Sequence, residues 1–308
     1  MITNKVLVTG ASGFIGNNLI NYLQSKSLKI VPFSRDFGMY YEKIDSNYLD
    51  NEDVEIIIHL AGKAHDLKNV SNELDYFKVN TDLTISIYDA FLKSNSKTFI
   101  YFSSVKAVKD HLEETLTENI IPSPKTAYGK SKLAAENYIL PKVELINKRI
   151  YILRPSMVHG IGNKGNLNLL YKLVSKSIPW PLGSFENKRS FCSIDNLCFV
   201  VHELIYNPNI PNGIYNIADD EPLSTNQVIS LIGKSLNKKP IVFSINKNLI
   251  KLIAKIGDMV NLPLNTERLT KLTESYEVSN LKIKNAIGKK LPINSKVGLI
   301  KTFQSFNI

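Results

Sequence analysis

A chain of 308 residues is long enough for one large α/β unit or two coupled domains. With 44% apolar and 21% charged residues and a mean hydropathy of −0.08, it reads as an ordinary globular protein. No apolar run reaches the ~18 residues that a membrane span needs, and the longest, such as 54–62, are short or broken. The net charge of +10 is compatible with nucleic acid, a membrane surface or an anionic small substrate. The lysines are scattered, however, with no basic block or interleaved aromatic pattern. They read as a solvated surface, part of which could steer a diphosphate, and no nucleic-acid partner is expected.

The first residues lead straight into a strand without the basic and apolar regions of a signal peptide. Two cysteines six positions apart, Cys192 and Cys198, read as reduced core residues of a cytoplasmic protein, and no metal site is expected.

In chain order, Lys5–Thr9 is a β-branched run that ends in Gly10-Ala11-Ser12-Gly13-Phe14-Ile15-Gly16 and is followed by an amphipathic stretch, Asn17–Gln24. Strand, glycine turn and helix is the context of a dinucleotide-binding loop. Gly10 permits the tight turn, Gly13 the close approach of backbone N–H groups to a pyrophosphate, and Gly16 close helix–strand packing. Ser12, Phe14 and Ile15 complete the loop at the helix N-terminus, whose partial positive charge faces the phosphates. The second strand, Leu28–Phe33, should end beside the adenosine ribose. An NAD-selective loop carries a carboxylate there; this chain reads Ser34-Arg35-Asp36. A hydroxyl and a guanidinium suit a 2′-phosphate, which favours NADP(H). A one-residue shift would make Asp36 the ribose ligand and admit NAD(H). Asp45, at the end of the next short run, is a candidate for the adenine amino group.

The buried strand Glu55–Leu60 runs into Ala61-Gly62, small residues that leave room for the cofactor. Thr98–Phe102 delivers Ser103-Ser104. Tyr128-Gly129-Lys130-Ser131-Lys132 then opens a helix, placing Tyr128 and Lys132 on one face, one turn apart. A phenol titrates near 10, and bringing it to about 7 takes roughly 4 kcal/mol, which a nearby ammonium and a positive nicotinamide could supply. Ser104 would hold the reacting oxygen within reach of Tyr128. His59, His65 and His159 share no metal-ligand spacing and read as structural.

These residues together resemble the extended short-chain dehydrogenase/reductases of the nucleotide-sugar epimerase/dehydratase family, over nearly the whole chain. The matching residues are Gly10-x-x-Gly13-x-x-Gly16, His59-Leu60-Ala61, Val79-Asn80, Ser103-Ser104, Tyr128-x-x-x-Lys132, Arg154-Pro155, Arg189-Ser190-Phe191 with Asp195, and Tyr215-Asn216. The resemblance implies that Tyr128 is the acid/base, that Lys132 binds the nicotinamide ribose and that Ser104 orients the sugar oxygen. Asn80 and Pro155 would line the cofactor side, and Arg189, with Arg268 as a further candidate, would grip the diphosphate of a UDP-sugar. It also implies a homodimer through a four-helix interface that includes the Tyr128 helix.

Dehydratases of this family carry Asp-Glu directly after the catalytic hydroxyl residue, and decarboxylases keep a glutamate there; here Val105-Lys106 follows Ser104, so both chemistries are set aside. Two reactions remain. One is a 4-epimerase with retained NAD; the other, favoured, is a 4-ketoreductase using exchangeable NAD(P)H. Ser103–Lys106 and Leu182–Ser190 are similar to a bacterial subgroup that includes reductases of UDP-2-acetamido-2,6-dideoxy-4-hexulose, which make surface-polysaccharide precursors. A non-catalytic NADP-binding regulator is the reading from another class; such relatives lose the Tyr or the Lys.

The expected architecture is a doubly wound parallel Rossmann sheet over 1–160, with 189–216 returning to it. A smaller mixed α/β substrate-binding cap is expected from 161–188 and 217–308. Within it, Thr225–Leu236, capped by Ser224 or Thr225, and Asn248–Val260 read as helices.

Overall fold

The computed structural model describes residues 5–63, 72–143, 147–163, 165–260 and 265–307. Strands and helices alternate through the first half: β1 (Lys5–Thr9), α1 (Phe14–Ser25), β2 (Lys29–Phe33), α2 (Ser46–Asn51), β3 (Val54–His59), α3 (Glu73–Phe77), α4 (Leu83–Lys93), β4 (Thr98–Phe102), α5 (Ala127–Ile139) and β5 (Arg149–Pro155). Then follow β6 (Met157–His159), α6 (Asn166–Ser175), β7 (Phe191–Ser193), α7 (Ile194–Tyr206), β8 (Gly213–Ile217), α8 (Thr225–Ser235), α9 (Lys247–Val260), α10 (Thr266–Thr273), α11 (Leu281–Ile287) and α12 (Ser295–Gln304).

Six strands pair in parallel in the order β2-β1-β3-β4-β5-β8. Their central members are buried on both faces and mostly apolar, as Val54–His59 and Thr98–Phe102 show, because a parallel sheet is covered on both sides. One face packs on Leu19 and Leu23 of α1 and on Leu197, Val200 and Leu204 of α7. The other packs on Leu49 of α2, Ile87 and Phe91 of α4, and Ala135 and Ile139 of α5. The chain goes from β1 to β2 on one side and then to β3 on the other, so a crevice opens beyond the carboxyl ends of β1 and β3, where such sheets bind ligands.

Of the 189–216 stretch, β8 lies in the main sheet, whereas β7 pairs with β6 in a separate two-stranded ribbon. The short run before Asp45 is a 3₁₀ turn, Tyr41–Lys43. A third apolar core, with Leu167, Trp180, Val228, Ile250, Leu269 and Phe303, joins α6, α8, α9, α10 and α12. Its extended structure comprises the β6–β7 ribbon, through Met157 and Phe191, and isolated bridges such as Trp180 with Val242 and Arg189 with Leu223 and Tyr276. Ser224 is the N-cap of α8 and forms a capping box with Gln227. No helix among the described residues is long and apolar enough to cross a membrane.

Candidate active site

The glycine loop sits at the carboxyl end of β1. Gly10 has φ +67°, and a Cβ there would meet the Ala61 nitrogen at 2.7 Å, so the turn and the β3 loop require a residue without a side chain. A Cβ on Gly16 would meet the Gly10 and Ala11 carbonyls at 2.4 and 2.8 Å, which is the close helix–strand contact expected of it. Gly13 is the N-cap of α1, with no side-chain cap and no acidic residue in the first turn. The N–H groups at this helix start, including those of Phe14 and Ile15, therefore have no capping side chain, and the helix dipole favours an anion there. That donor set fits the pyrophosphate of a dinucleotide.

Beside the loop, the Ser12 and Ser34 hydroxyls lie 2.7 Å apart, and Ser34 also accepts the Asp36 N–H at 3.3 Å. Arg35 and Asp36 are both exposed in the turn that follows β2. Asp45 is the N-cap of α2: its carboxylate accepts the Tyr48 N–H at 2.7 Å, a helix-starting role that the sequence reading did not assign.

Across the crevice, Thr9 ties the two strand ends together. Its hydroxyl accepts the Ala61 N–H at 3.2 Å and bonds His59 Nδ1 at 2.8 Å; His59 Nε2 meets Thr84 at 3.0 Å. Burial lowers the His59 pKa to about 3, so the ring is neutral. Gly62 faces Asn80 and Lys132: a Cβ there would meet Asn80 Oδ1 at 3.0 Å and Lys132 Nζ at 3.2 Å. Asn80 is fully buried and clasps both backbone groups of Lys63, at 2.8 and 3.1 Å, and Ser131. Pro155 ends β5 at the same edge of the sheet. Ala64 and His65 lie outside the described residues.

Ser104, Tyr128 and Lys132, the trio singled out in the sequence, come together where β4 ends. Ser104 caps the short turn Val105–Ala107, accepting the Lys106 N–H at 3.2 Å. Tyr128 is in the first turn of α5, whose start is fixed by Thr126 as N-cap. Asp110 in turn accepts the N–H groups of Lys125 and Thr126 at 2.6 and 3.2 Å and the Thr126 hydroxyl at 3.0 Å. Burial pushes the Tyr128 phenol above its ordinary pKa; a hydrogen bond from Ser104 pulls it back, and Tyr76 adds to the rise. The protein's own groups thus favour the phenol over the phenolate. Lys132 does not offset this, because its ammonium is buried and donates to the Phe102 carbonyl at 2.9 Å, 5.0 Å from the Tyr101 ring centroid. Burial lowers its pKa to about 8, and Glu136 acts in the opposite direction.

Glu136, absent from the sequence reading, lies one further turn along the same helix face and is fully buried. It accepts two bonds from Arg154, at 2.9 Å from Nε and 2.5 Å from Nη2, and one from the Ser103 hydroxyl. This carboxylate therefore joins the residue before Ser104, the helix of Tyr128 and Lys132, and strand β5. Lys106 is turned away from the strand end: it donates to the Asp110 carbonyl at 2.7 Å and lies 4.0 Å from the Tyr276 ring centroid. Tyr276 closes the contact by donating to the Lys109 carbonyl at 2.7 Å, so the loop after Ser104 is held by the C-terminal region.

Arg189 and Arg268 line a different space, an apolar cleft of about 390 Å³ with Trp180, Phe191 and Lys271 in its walls. Arg189 donates to the Lys271 carbonyl from a backbone pinned on both sides, by Leu223 and Tyr276. Ser104, Tyr128 and Lys132 are not in this lining, so the sequence-selected residues fall into three groups: the glycine crevice, the trio and the arginine cleft. His159 is buried, bonded to Thr302 at 2.8 Å and 3.4 Å from Asp219. The cysteines are buried and free, with the Cys198 thiol pushed up to about 12 by burial. No metal-binding cluster occurs among the described residues.

Comparison with known proteins gives the same grouping a family. The profile of the NAD dependent epimerase/dehydratase family matches residues 6–218. A UDP-glucose 4-epimerase of Vibrio cholerae is 30% identical over 322 residues, covering 98% of this chain and 95% of that one. A UDP-2-acetamido-2,6-beta-L-arabino-hexul-4-ose reductase of Pseudomonas aeruginosa is 34% identical over 170 residues, covering 53% of this chain and 38% of that one. In fold, a UDP-N-acetylglucosamine 4-epimerase from Bacillus cereus superposes with a TM-score of 0.76 at 19% identity, covering 98% and 96% of the two chains. With its family profile matched from β1 to the end of β8 and a relative aligned from end to end, the chain belongs to the NAD dependent epimerase/dehydratase family and is a nicotinamide-dependent enzyme of the nucleotide-sugar epimerase and reductase type.

Proposed function

We propose that this enzyme is a 4-ketoreductase that reduces a UDP-linked 4-keto-6-deoxy-N-acetylhexosamine, a precursor of surface polysaccharide. The observation that supports the reading is the loop after β2, where Ser34 and the exposed Arg35 stand where an NAD-selective site carries its carboxylate, as suits an exchangeable NADPH. Reduction of a ketone needs a proton donor at the new alkoxide, and the half-buried Tyr128 phenol, hydrogen-bonded to Ser104, is placed to be one.

Ser104 orients the carbonyl oxygen, Tyr128 delivers the proton to it, and Lys132 fixes the cofactor ribose beside them. Gly10, Ser12, Gly13, Phe14, Ile15 and Gly16 hold the pyrophosphate; Ala61, Gly62, Asn80 and Pro155 line the remaining cofactor path. When bound, the nicotinamide dinucleotide supplies the hydride. Ser34 and the exposed Arg35 offer a hydroxyl and a cation to a 2′-phosphate, which supports NADP(H), while the adjacent Asp36 is the residue through which NAD(H) would be read. Asp45, with one carboxylate oxygen committed to its helix, has the other for the adenine amino group. Arg189 and Arg268, with Lys271, bring positive charge to a mostly apolar cleft, a combination suited to a base and a diphosphate.

The second reading is a UDP-sugar 4-epimerase with retained NAD, favoured by the end-to-end match to the Vibrio cholerae enzyme. A non-catalytic regulator is disfavoured, since Ser104, Tyr128 and Lys132 are all kept. The domain division proposed is 1–160 with 189–216 for the dinucleotide and 161–188 with 217–308 for the sugar nucleotide, in a cytoplasmic homodimer built on the Tyr128 helix.

The test is hydride consumption. Purified protein with NADPH or NADH and UDP-2-acetamido-2,6-dideoxy-4-hexulose should oxidise the cofactor stoichiometrically. No oxidation, together with interconversion of UDP-GlcNAc and UDP-GalNAc, or of UDP-Glc and UDP-Gal, without added cofactor, would replace the reductase by the epimerase.

A further inference from the structure

Eight of the eighteen large apolar side chains exposed among the described residues fall within the 22 positions 238–259: Ile241, Val242, Phe243, Leu249, Leu252, Ile253, Ile256 and Met259. Five of them are on α9. That helix turns Ile250 and Ala254 into the core formed with α8 and α10, at 2% and 0% exposure. Leu249, Leu252, Ile253, Ile256 and Met259 instead occupy a second arc, about 120° wide at 3.6 residues per turn, and are between 37% and 84% exposed. An apolar stripe this continuous, separate from the one that packs inward, is unusual on a protein surface.

The charges on the helix identify what would cover it. Lys247, Lys251 and Lys255 recur every fourth residue and are all exposed, between the inward face and the apolar arc. Its one carboxylate, Asp258, is occupied by Thr266, whose N–H and hydroxyl donate to it at 3.0 and 2.5 Å. Lys238 and Lys239 precede the exposed Ile241-Val242-Phe243, with Pro240 between. A row of flexible ammonium groups beside an apolar arc matches the interface of an anionic bilayer, where the arc enters the acyl boundary and the lysines reach the headgroups. A second copy packed on this face about a two-fold axis would set the same three lysines against their own copies.

We propose that α9 and the segment leading into it dock this enzyme peripherally on an anionic lipid surface. No span is involved, since the helix is anchored to the core by Ile250 and Ala254. The inference is independent of which sugar reaction the enzyme performs.

Vesicle flotation tests it with the full chain, using phosphatidylcholine vesicles and vesicles with one quarter phosphatidylglycerol. The protein is expected to float with the anionic vesicles at low salt, with neutral vesicles binding at least ten-fold more weakly. Leu252→Ser/Ile256→Ser and Lys247→Gln/Lys251→Gln/Lys255→Gln should each weaken anionic binding at least ten-fold while leaving turnover and melting temperature unchanged. Absence of binding to the anionic vesicles, or binding that both variants retain, overturns the proposal. So does self-association that Leu252→Ser/Ile256→Ser abolishes in sedimentation velocity while vesicles capture nothing, which would assign the face to a second copy.

Discussion

Arg154 and Arg189 carry the same guanidinium into two regions built differently. At the sheet's carboxyl edge, Arg154 is sealed from water and doubly bonded to Glu136, which also receives Ser103. In the C-terminal region, Arg189 gives one bond to the Lys271 carbonyl and lines a cleft with Arg268. In the first region, charge is neutralised inside the fold and holds other groups in place. In the second, charge lines an open cleft, the one proposed for the sugar nucleotide. A buried ion pair is weak support for overall stability but breaks at high cost when one partner is removed, whereas a cleft-facing arginine can be lost with the fold intact.

The largest effect expected is at the sheet edge. Tyr128→Phe should lower kcat by roughly 10²–10⁴-fold, the range for loss of a positioned acid/base, while dinucleotide affinity by fluorescence titration stays within about two-fold. Unchanged turnover would remove Tyr128 from the chemistry.

Arg154→Met sharpens the contrast directly. It strands the Glu136 carboxylate in the core and should cost about 3–5 kcal/mol in urea unfolding, most of it recovered in Arg154→Met/Glu136→Leu. Arg189→Met should change stability by less than about 0.5 kcal/mol and instead raise KM roughly ten-fold. Equal stability losses for the two arginines would mean that the regions do not differ as described.

His59 makes the sheet edge acid-sensitive. Its folded-state pKa of about 3 lies below the ordinary 6.5, so between these values the unfolded chain binds the extra proton. This contribution is complete above pH 6.5 and is lost as pH falls, at up to ~1.4 kcal/mol per pH unit. Urea midpoints measured from pH 7 to 5 should show that slope, and His59→Gln should flatten it.

The smallest effect concerns the loop after β2. Arg35→Ala should weaken NADPH about five-fold, near the 1 kcal/mol expected of an exposed ionic contact, and leave NADH unchanged. Parallel losses for both cofactors would remove the 2′-phosphate role.

What the sequence alone determined is what depends on neighbours in the chain. The turn at Gly10–Gly16 follows from the need for φ +67° and a Cβ-free approach to Ala61, both tied to residue type at fixed spacing. Tyr128 and Lys132 share a face because four residues make about one helical turn. The central strands showed as continuous apolar runs because both faces are covered.

Tertiary structure decided what depends on partners far apart in the chain. Glu136 and Arg154 meet only because β5 pairs beside β4 with α5 packed across them, and no local spacing announces that pair. Asp110 clamps the start of α5 from a loop with no motif. Phe191–Ser193 joined β6 rather than the main sheet, a choice between equally apolar partners that periodicity does not rank. For α9, the sequence yields an amphipathic helix, yet which arc turns inward was set by Ile250 and Ala254 fitting against α8 and α10, since packing distinguishes two apolar stripes that hydrophobicity leaves alike.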